Sequence, residues 1–269
     1  RPHQPRGGRE PMRHLVEAER EIPIARIPVG TTEISAVLPV FNEIESLPGL
    51  LDELASVLGA TGRSYEMILV DDGSADGSGA WIEDRARKDP CVRGILLERN
   101  VGQSGAIAAG LRHARGAVIV TLDADGQNDP SSIPALLAAL EHADVVSGVR
   151  TPRADSWRRR ASSRVANAVR RAAIGDTISD VGCSLKAYRR EALEGIPLFV
   201  GAHRFLPALC EFRGARVVEV PVRHRPRQHG VSKYGVGNRL FRGVRDLFGV
   251  RWLKSRMLRH KIRRVTDEP

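Results

Sequence analysis

The segment AVIVTLDADGQNDP, residues 117–130, runs a β-branched apolar stretch straight into two aspartates spaced by two, with a glutamine two further on. A short apolar run bounded by Asp-Gly and Asn-Asp-Pro reads as a buried strand ending in a polar turn. Working outward, the same arrangement recurs in ISAVLPV (34–40), EMILVDD (66–72), RGILLE (93–98) and DVVSGV (144–149). Between these runs lie LPGLLDELASVLGA (47–60), GSGAWIEDRARK (77–88), QSGAIAAGLRHA (103–114) and PSSIPALLAAL (130–140), each with the length and composition of a helix. Near-continuous apolar strands alternating with single helices predict an α/β fold, a mostly parallel central sheet flanked by helices. Ligands of such sheets bind beyond the carboxyl ends of the strands. Function is therefore expected in PVFNE (39–43), VDDGSADGS (70–78), RNVGQSGA (99–106) and DADGQNDP (123–130).

The alternation stops near residue 150. An Arg-rich helix is expected over 156–173. The strand-like CSLKAYR (183–189) and ARVVEVPVRH (215–224) flank a helix near 203–212. Residues 236–264 read as a basic amphipathic helix with a stripe of Leu240, Phe241, Val244, Leu247 and Phe248. Three segments follow: a disordered arm over 1–30, one α/β domain over 31–235, and the basic C-terminal segment over 236–269.

Composition narrows the partners. Lys+Arg number 42 and Asp+Glu 32, a net +10, which calls for an anionic partner. Residues 239–264 hold ten Lys/Arg against the single acid Asp246, a net +9. Residues 158–171 hold six arginines and no acid. Aromatics are only 4% and no helix-turn-helix or zinc signature is present, so nucleic acid is excluded as the partner. The three cysteines, Cys91, Cys183 and Cys210, are too few and too scattered for a disulfide scaffold, which points to a reducing compartment. No apolar run approaches the ~20 residues of a membrane span.

At the end of the fourth run, residues spaced by two point the same way in extended chain, so Asp123, Asp125 and Gln127 converge. Hard oxygen ligands without His or Cys suit Mg²⁺ or Mn²⁺ held jointly with substrate phosphates; a solvated acidic turn is the plainer alternative. Ser74, Asp76 and Ser78 could do no more than cap a helix. The loop RHRPRQHGVSKYGVG (223–237) combines basic residues with glycines, as a phosphate-attracting loop or as a solvated one.

In this order and spacing, PVFNE, VDDGSADGS, RNVGQ and DADGQNDP, with SDVGCSLKAYRR (179–190) and HGVSKY (229–234), resemble glycosyltransferase family 2 of the GT-A fold. They look most like its polyprenyl-phosphate sugar transferases, the dolichol-phosphate mannose synthase group. The resemblance implies inverting transfer from a GDP- or UDP-sugar to a polyprenyl or dolichyl phosphate, with a divalent metal. It places Pro39, Phe41, Glu43 and Asp72 on the nucleoside, and Asp123, Asp125 and Gln127 on the metal and diphosphate. It places Arg150, Arg164, Arg227, Ser232 and Lys233 on acceptor or donor phosphates, and Asp180 near the sugar. Asp125, Asp180 and Arg164 are the implied catalytic residues. Phe41 stands where Tyr is commoner.

A phosphate acceptor is already ionised and requires cations to hold it, whereas a hydroxyl acceptor requires a base. Asp180 could serve as that base, orient an arginine or a sugar hydroxyl, or do no more than sit at a helix N-terminus or close a buried salt bridge. A soluble hydroxyl acceptor (a nucleoside, secondary metabolite or glycan) is the alternative to the lipid. The basic tail predicts peripheral binding to an anionic membrane surface, at the cytoplasmic face, and leaves room for a separate membrane-spanning partner.

Overall fold

The structure is a computed structural model that describes residues 32–151, 167–226 and 236–257, with side chains from residue 245 onward in the last stretch. The elements run β1 (Ile34–Val40), α1 (Leu47–Ala60), β2 (Tyr65–Asp71), α2 (Ser78–Lys88), β3 (Val92–Leu96), α3 (Gln103–His113), β4 (Val118–Thr121), a 3₁₀ turn (Pro130–Ser132), α4 (Ile133–Ala139) and β5 (Val145–Thr151). Residues 167–174 are helical and form α5. Then come β6 (Lys186–Arg189), α6 (Arg190–Leu193), a 3₁₀ turn (Ala202–Arg204), α7 (Leu206–Phe212), β7 (Val217–Arg223) and α8 (Val236–Arg256).

The seven strands form one sheet in the order β3-β2-β1-β4-β6-β5-β7. Strands β1 to β4 pair in parallel, as do β5 and β7. The parallel run is interrupted once: β6 lies antiparallel between β4 and β5. The crossover through α4 skips one position in the sheet. The chain then returns at the edge where β4 and β5 end, so the strand that fills the gap must run the other way. This reversal sets the start of β6 beside the end of β4, with Lys186 opposite Thr121.

Both faces of the sheet are covered, which explains why its strands read as continuous apolar runs. Ile34, Ala36, Leu38 and Val40 of β1 pack with α1 and α4, while Val37 packs with α3 on the other face. In β2, Met67 and Leu69 go one way and Ile68 and Val70 the other. Helix α1 buries Leu47, Leu50, Leu51, Leu54 and Leu58, one stripe at helical spacing. Each such leucine contributes roughly 1.5–3 kcal/mol by burial. Helix α3 lies close against the sheet: a Cβ on Gly110 would stand 2.4 Å from Val37 Cγ1.

Helix α8 corrects the tail's expected stripe. Val250 is fully buried, and Leu247, Leu253 and Met257 pack against the same layer as α3 and α7. Phe248 and Trp252 point outward instead, 69% and 63% exposed. Leu247 and Phe248 are about 100° apart around the helix, so packing one face leaves the other outside. Lys254 sits 4.4 Å from the centre of the Phe212 ring and donates to the Ile174 carbonyl. Arg170, in the expected basic helix, is not a solvated cation either. It is buried, paired with Asp176 at 3.4 Å, and donates to the Ile178 carbonyl.

Candidate active site at the carboxyl ends of the strands

The first two strand ends are laced together by backbone donors and side-chain acceptors. Asn42, in the left-handed region at φ 53°, accepts the Ala75 N–H at 2.7 Å through Oδ1. The N–H groups of Asn42, Glu43 and Ile44 donate to Ser74 Oγ, Ser78 Oγ and Asp76 Oδ2 at 2.8, 3.1 and 3.0 Å. Asp76 also accepts the Ser78 N–H at 2.9 Å. Ser74 and Ser78 therefore join the two loops, and Asp76 also holds the first N–H of α2, a structural part for all three. Pro39 lies in β1 opposite Val70, and Phe41 and Glu43 are half-buried in the turn that follows.

Asp72 is buried and accepts the N–H groups of Val101 and Gly102 at 2.7 and 2.9 Å, one on each oxygen. Its carboxyl is raised above the usual range by burial, with these two hydrogen bonds opposing. What it does in this structure is shape the loop that leads into α3. Gly73 beside it, at φ +70°, would drive a Cβ to 2.8 Å from the Asn100 nitrogen.

Asp123 and Asp125 follow β4 and line a cavity of about 650 Å³. Ser46 at the start of α1 anchors the turn between them, donating to the Ala124 carbonyl at 2.7 Å. Gln103, the first residue of α3, donates through Nε2 to Asp123 Oδ1 at 2.6 Å. Burial, then the charge of Asp125, pushes the Asp123 carboxyl up to about 6, against the pull of Ser184, Lys186 and Arg150. A buried carboxylate facing a second acid in this way favours a cation between the two. Among the described residues no group of three or more His, Cys, Asp or Glu could complete a metal cage. The oxygen donor set thus fits a hard divalent ion that takes its remaining ligands from a bound diphosphate. Gln127 lines the same cavity, and its carbonyl accepts the Arg225 N–H at 2.8 Å.

Arg150 and Asp180 meet as a fork. Arg150 Nε and Nη2 donate to Asp180 Oδ2 and Oδ1 at 2.9 and 2.8 Å, and the Arg150 N–H adds a bond of 3.2 Å. The acid is 3% exposed and the arginine side chain 27%. The contact seen at Asp180 is this buried salt bridge to an arginine. Gly182 underlies the guanidinium, where a Cβ would stand 2.9 Å from Nη2.

Sequence reading assigned no role to the opposite wall. Lys186 is buried beneath Asp123, its pKa lowered by burial, and its ammonium donates to the His203 carbonyl at 3.5 Å. His203 Nδ1 lies 2.6 Å from Ser104 Oγ, and Ser104 Oγ also accepts the Gly201 N–H at 2.9 Å. Arg204 pairs with Asp246 of α8 at 3.0 Å, so α8 forms part of the cavity wall. Gln103 and Lys186 sit inside motifs legible in sequence, RNVGQ and SDVGCSLKAYRR. His203 carried no signal at all.

The basic loop 223–237 divides. Arg225 forks onto Glu53 at 2.6 and 2.7 Å and reaches Asp129 at 2.9 Å. The hydrogen bonds to Glu53 raise its pKa further. It clamps α1 and the loop after β4 to the end of β7. Arg164, Arg227, Ser232 and Lys233 lie outside the described residues.

Residues 35–196 match the family model described as Glycosyl transferase family 2. The chain is 41% identical over 205 residues to an undecaprenyl-phosphate 4-deoxy-4-formamido-L-arabinose transferase of Edwardsiella ictaluri, and 42% identical to one of Aeromonas hydrophila. Each alignment covers 76% of this chain and 63% of the relative, so the chain spans less than two thirds of these relatives' length. Among solved structures, it resembles glucosyl-3-phosphoglycerate synthase from Mycobacterium tuberculosis in complex with Mn²⁺, UDP and glucosyl-3-phosphoglycerate. The TM-score is 0.60 at 20% identity, over 83% of this chain and 80% of that one. The same enzyme with Mg²⁺ and UDP matches with a TM-score of 0.60 at 20% identity, over 83% and 79%. At that identity the likeness shows the fold.

Proposed function

The chain belongs to glycosyl transferase family 2, and from that premise we propose that it moves a sugar from a nucleotide-sugar to a polyprenyl phosphate. The observation that carries the choice of acceptor is the Arg150–Asp180 fork. A carboxylate engaged on both oxygens by a guanidinium is a poor proton acceptor, which favours an acceptor that brings its own negative charge over a hydroxyl that Asp180 would have to deprotonate. A phosphate monoester does so, carrying about −1.5 to −2 at pH 7. It requires cations rather than a base, and Arg150, whose charge acts on Asp123, is one candidate. Arg164, Arg227, Ser232 and Lys233 are the further candidates for phosphate oxygens. The relatives named as undecaprenyl-phosphate transferases support the same reading.

On the donor side, Pro39, Phe41 and Glu43 would border the nucleoside, with Asp72 holding the loop beside it. Asp123, Asp125 and Gln127 would hold a Mg²⁺ or Mn²⁺ ion. When bound, that ion neutralises the leaving diphosphate. Gln103 fixes one oxygen of Asp123, and buried Lys186 offsets the paired negative charges from below.

The acceptor's hydrocarbon chain requires access to a bilayer. Among the described residues no helix is long and apolar enough to cross one. Exposed Phe248 and Trp252, on a helix within the +9 segment, suit peripheral docking on an anionic cytoplasmic leaflet. The test is a panel of labelled UDP- and GDP-sugars with undecaprenyl phosphate and Mg²⁺ or Mn²⁺, extracted into organic solvent. Label in the organic phase is the expected result. Label transferred only to a water-soluble hydroxyl acceptor would replace the lipid reading.

A further inference from the structure

The cavity wall facing the aspartates is built with a neutral hydrogen-bonding group at its centre. His203 is fastened to the first turn of α3 through the 2.6 Å contact between Nδ1 and Ser104 Oγ. The Gly201 N–H, bonded to the same hydroxyl at 2.9 Å, fixes that oxygen in turn. Among the described residues no hydrogen bond reaches Nε2, and the imidazole lines the cavity. Burial and the neighbouring charges of Lys186 and Arg204 push its pKa down to about 3, so the ring is uncharged under ordinary conditions.

Its place relative to the diphosphate follows from the chain itself. Gln103 reaches Asp123 at 2.6 Å, and the next residue, Ser104, reaches His203 at 2.6 Å. Consecutive Cα atoms are about 3.8 Å apart, so one helical turn supports both the acid and the imidazole. Lys186 spans the same gap from β6. His203 therefore lines the same cavity as Asp123 and Asp125, one helical turn supporting both walls, and within it faces a sugar joined to a diphosphate held at the two acids. A neutral imidazole with one open nitrogen matches a hydroxyl, which both donates and accepts, better than it matches an anion.

We propose that His203, oriented by Ser104, is a specificity-determining residue that hydrogen-bonds a hydroxyl of the donor's sugar. This rests on the nucleotide-sugar reading above and names a contact that reading leaves open. The test is calorimetric binding with Mg²⁺ present, using UDP and GDP beside UDP-glucose, UDP-xylose and GDP-mannose. The wild-type chain identifies the sugar that adds most affinity over its bare diphosphate. His203→Ala should cut that added affinity about tenfold, the size of one hydrogen bond, while UDP or GDP binds within about twofold of wild type. His203→Gln should restore part of the gain, and Ser104→Ala should fall between. If His203→Ala does not fold, the Gln and Ser104 variants carry the comparison. Equal weakening of diphosphate and nucleotide-sugar, or no change in either, overturns the assignment, as does a wild type to which no sugar in the panel adds affinity. A wild type that binds neither UDP nor GDP overturns the donor reading itself.

Discussion

Asp180→Asn separates an orienting acid from a general base. The substitution keeps the shape of the side chain and removes the charge that holds Arg150. Three hydrogen bonds of 2.8, 2.9 and 3.2 Å join the pair, with the acid 3% exposed and the arginine 27%. Hydrogen bonds to charged groups contribute about 1.5–3 kcal/mol each, and partial exposure of Arg150 places the effect toward the lower end. If Asp180 acts through Arg150, losing the fork should lower kcat/KM by about 10- to 100-fold, at 1.4 kcal/mol per tenfold. Arg150→Gln should cost a similar factor. The double variant should then be little worse than either single one, because both remove the same interaction. The assay is transfer of labelled sugar to undecaprenyl phosphate, measured for all four chains. Multiplication of the two losses in the double variant, with Asp180→Asn alone costing a thousandfold or more, would refute this and restore Asp180 as a base.

Asp125→Ala should reduce transfer by at least a hundredfold and weaken Mn²⁺ binding measured by electron paramagnetic resonance, with the melting temperature nearly unchanged because the residue faces the cavity; full activity in excess chelator would remove the metal. Arg225→Met should lower stability by about 1 kcal/mol, the value of a partly exposed network, and the melting temperature by about 2–4 °C, since it unties Glu53 and Asp129 from β7. A change in activity without a change in melting would instead make Arg225 a ligand. For His203 the folded pKa is depressed to about 3, below the unfolded value near 6.5. The folded state thus excludes a proton the unfolded state takes up, and stability is lost as pH falls below about 6.5, at up to about 1.4 kcal/mol per unit. Denaturant melts at pH 7 and pH 5 should show a smaller loss in His203→Gln than in wild type, and equal losses would contradict a buried neutral ring. Phe248→Asp and Trp252→Asp should each weaken co-sedimentation with anionic vesicles even at low salt while leaving melting unchanged, because both side chains are exposed; unchanged sedimentation would leave α8 as a packed helix only.

How much of the site was legible can be judged residue by residue. Asp123 and Asp125 were readable because a polar pair directly after an apolar strand has a definite place on an α/β sheet. Gln103 was readable as part of a motif but not in its role, since reaching Asp123 depends on how α3 lies across the sheet. Ser74, Asp76 and Ser78 carried two readings of equal standing, and only the position of the neighbouring loop separated them. Arg225 looked like every other cation in its loop until Glu53, 172 positions away in sequence, came within 2.6 Å.

The local pattern of this chain by itself determined the strands and helices of residues 34–151, since period, length and turn residues are properties of neighbouring positions. It also pointed to the strand ends as the place of the candidate site, because one sheet edge collects every βα turn. Only the tertiary structure decided that β6 enters antiparallel between β4 and β5. That single reversal brings Ser184 and Lys186 beside Asp123, with the His203 wall on the same cavity. It also decided which face of α8 is buried, because an amphipathic helix with two apolar flanks does not state which one has a partner. Pairing and docking are set by contacts between residues far apart in the chain, and the energy of such a contact depends on what lies across it rather than beside it.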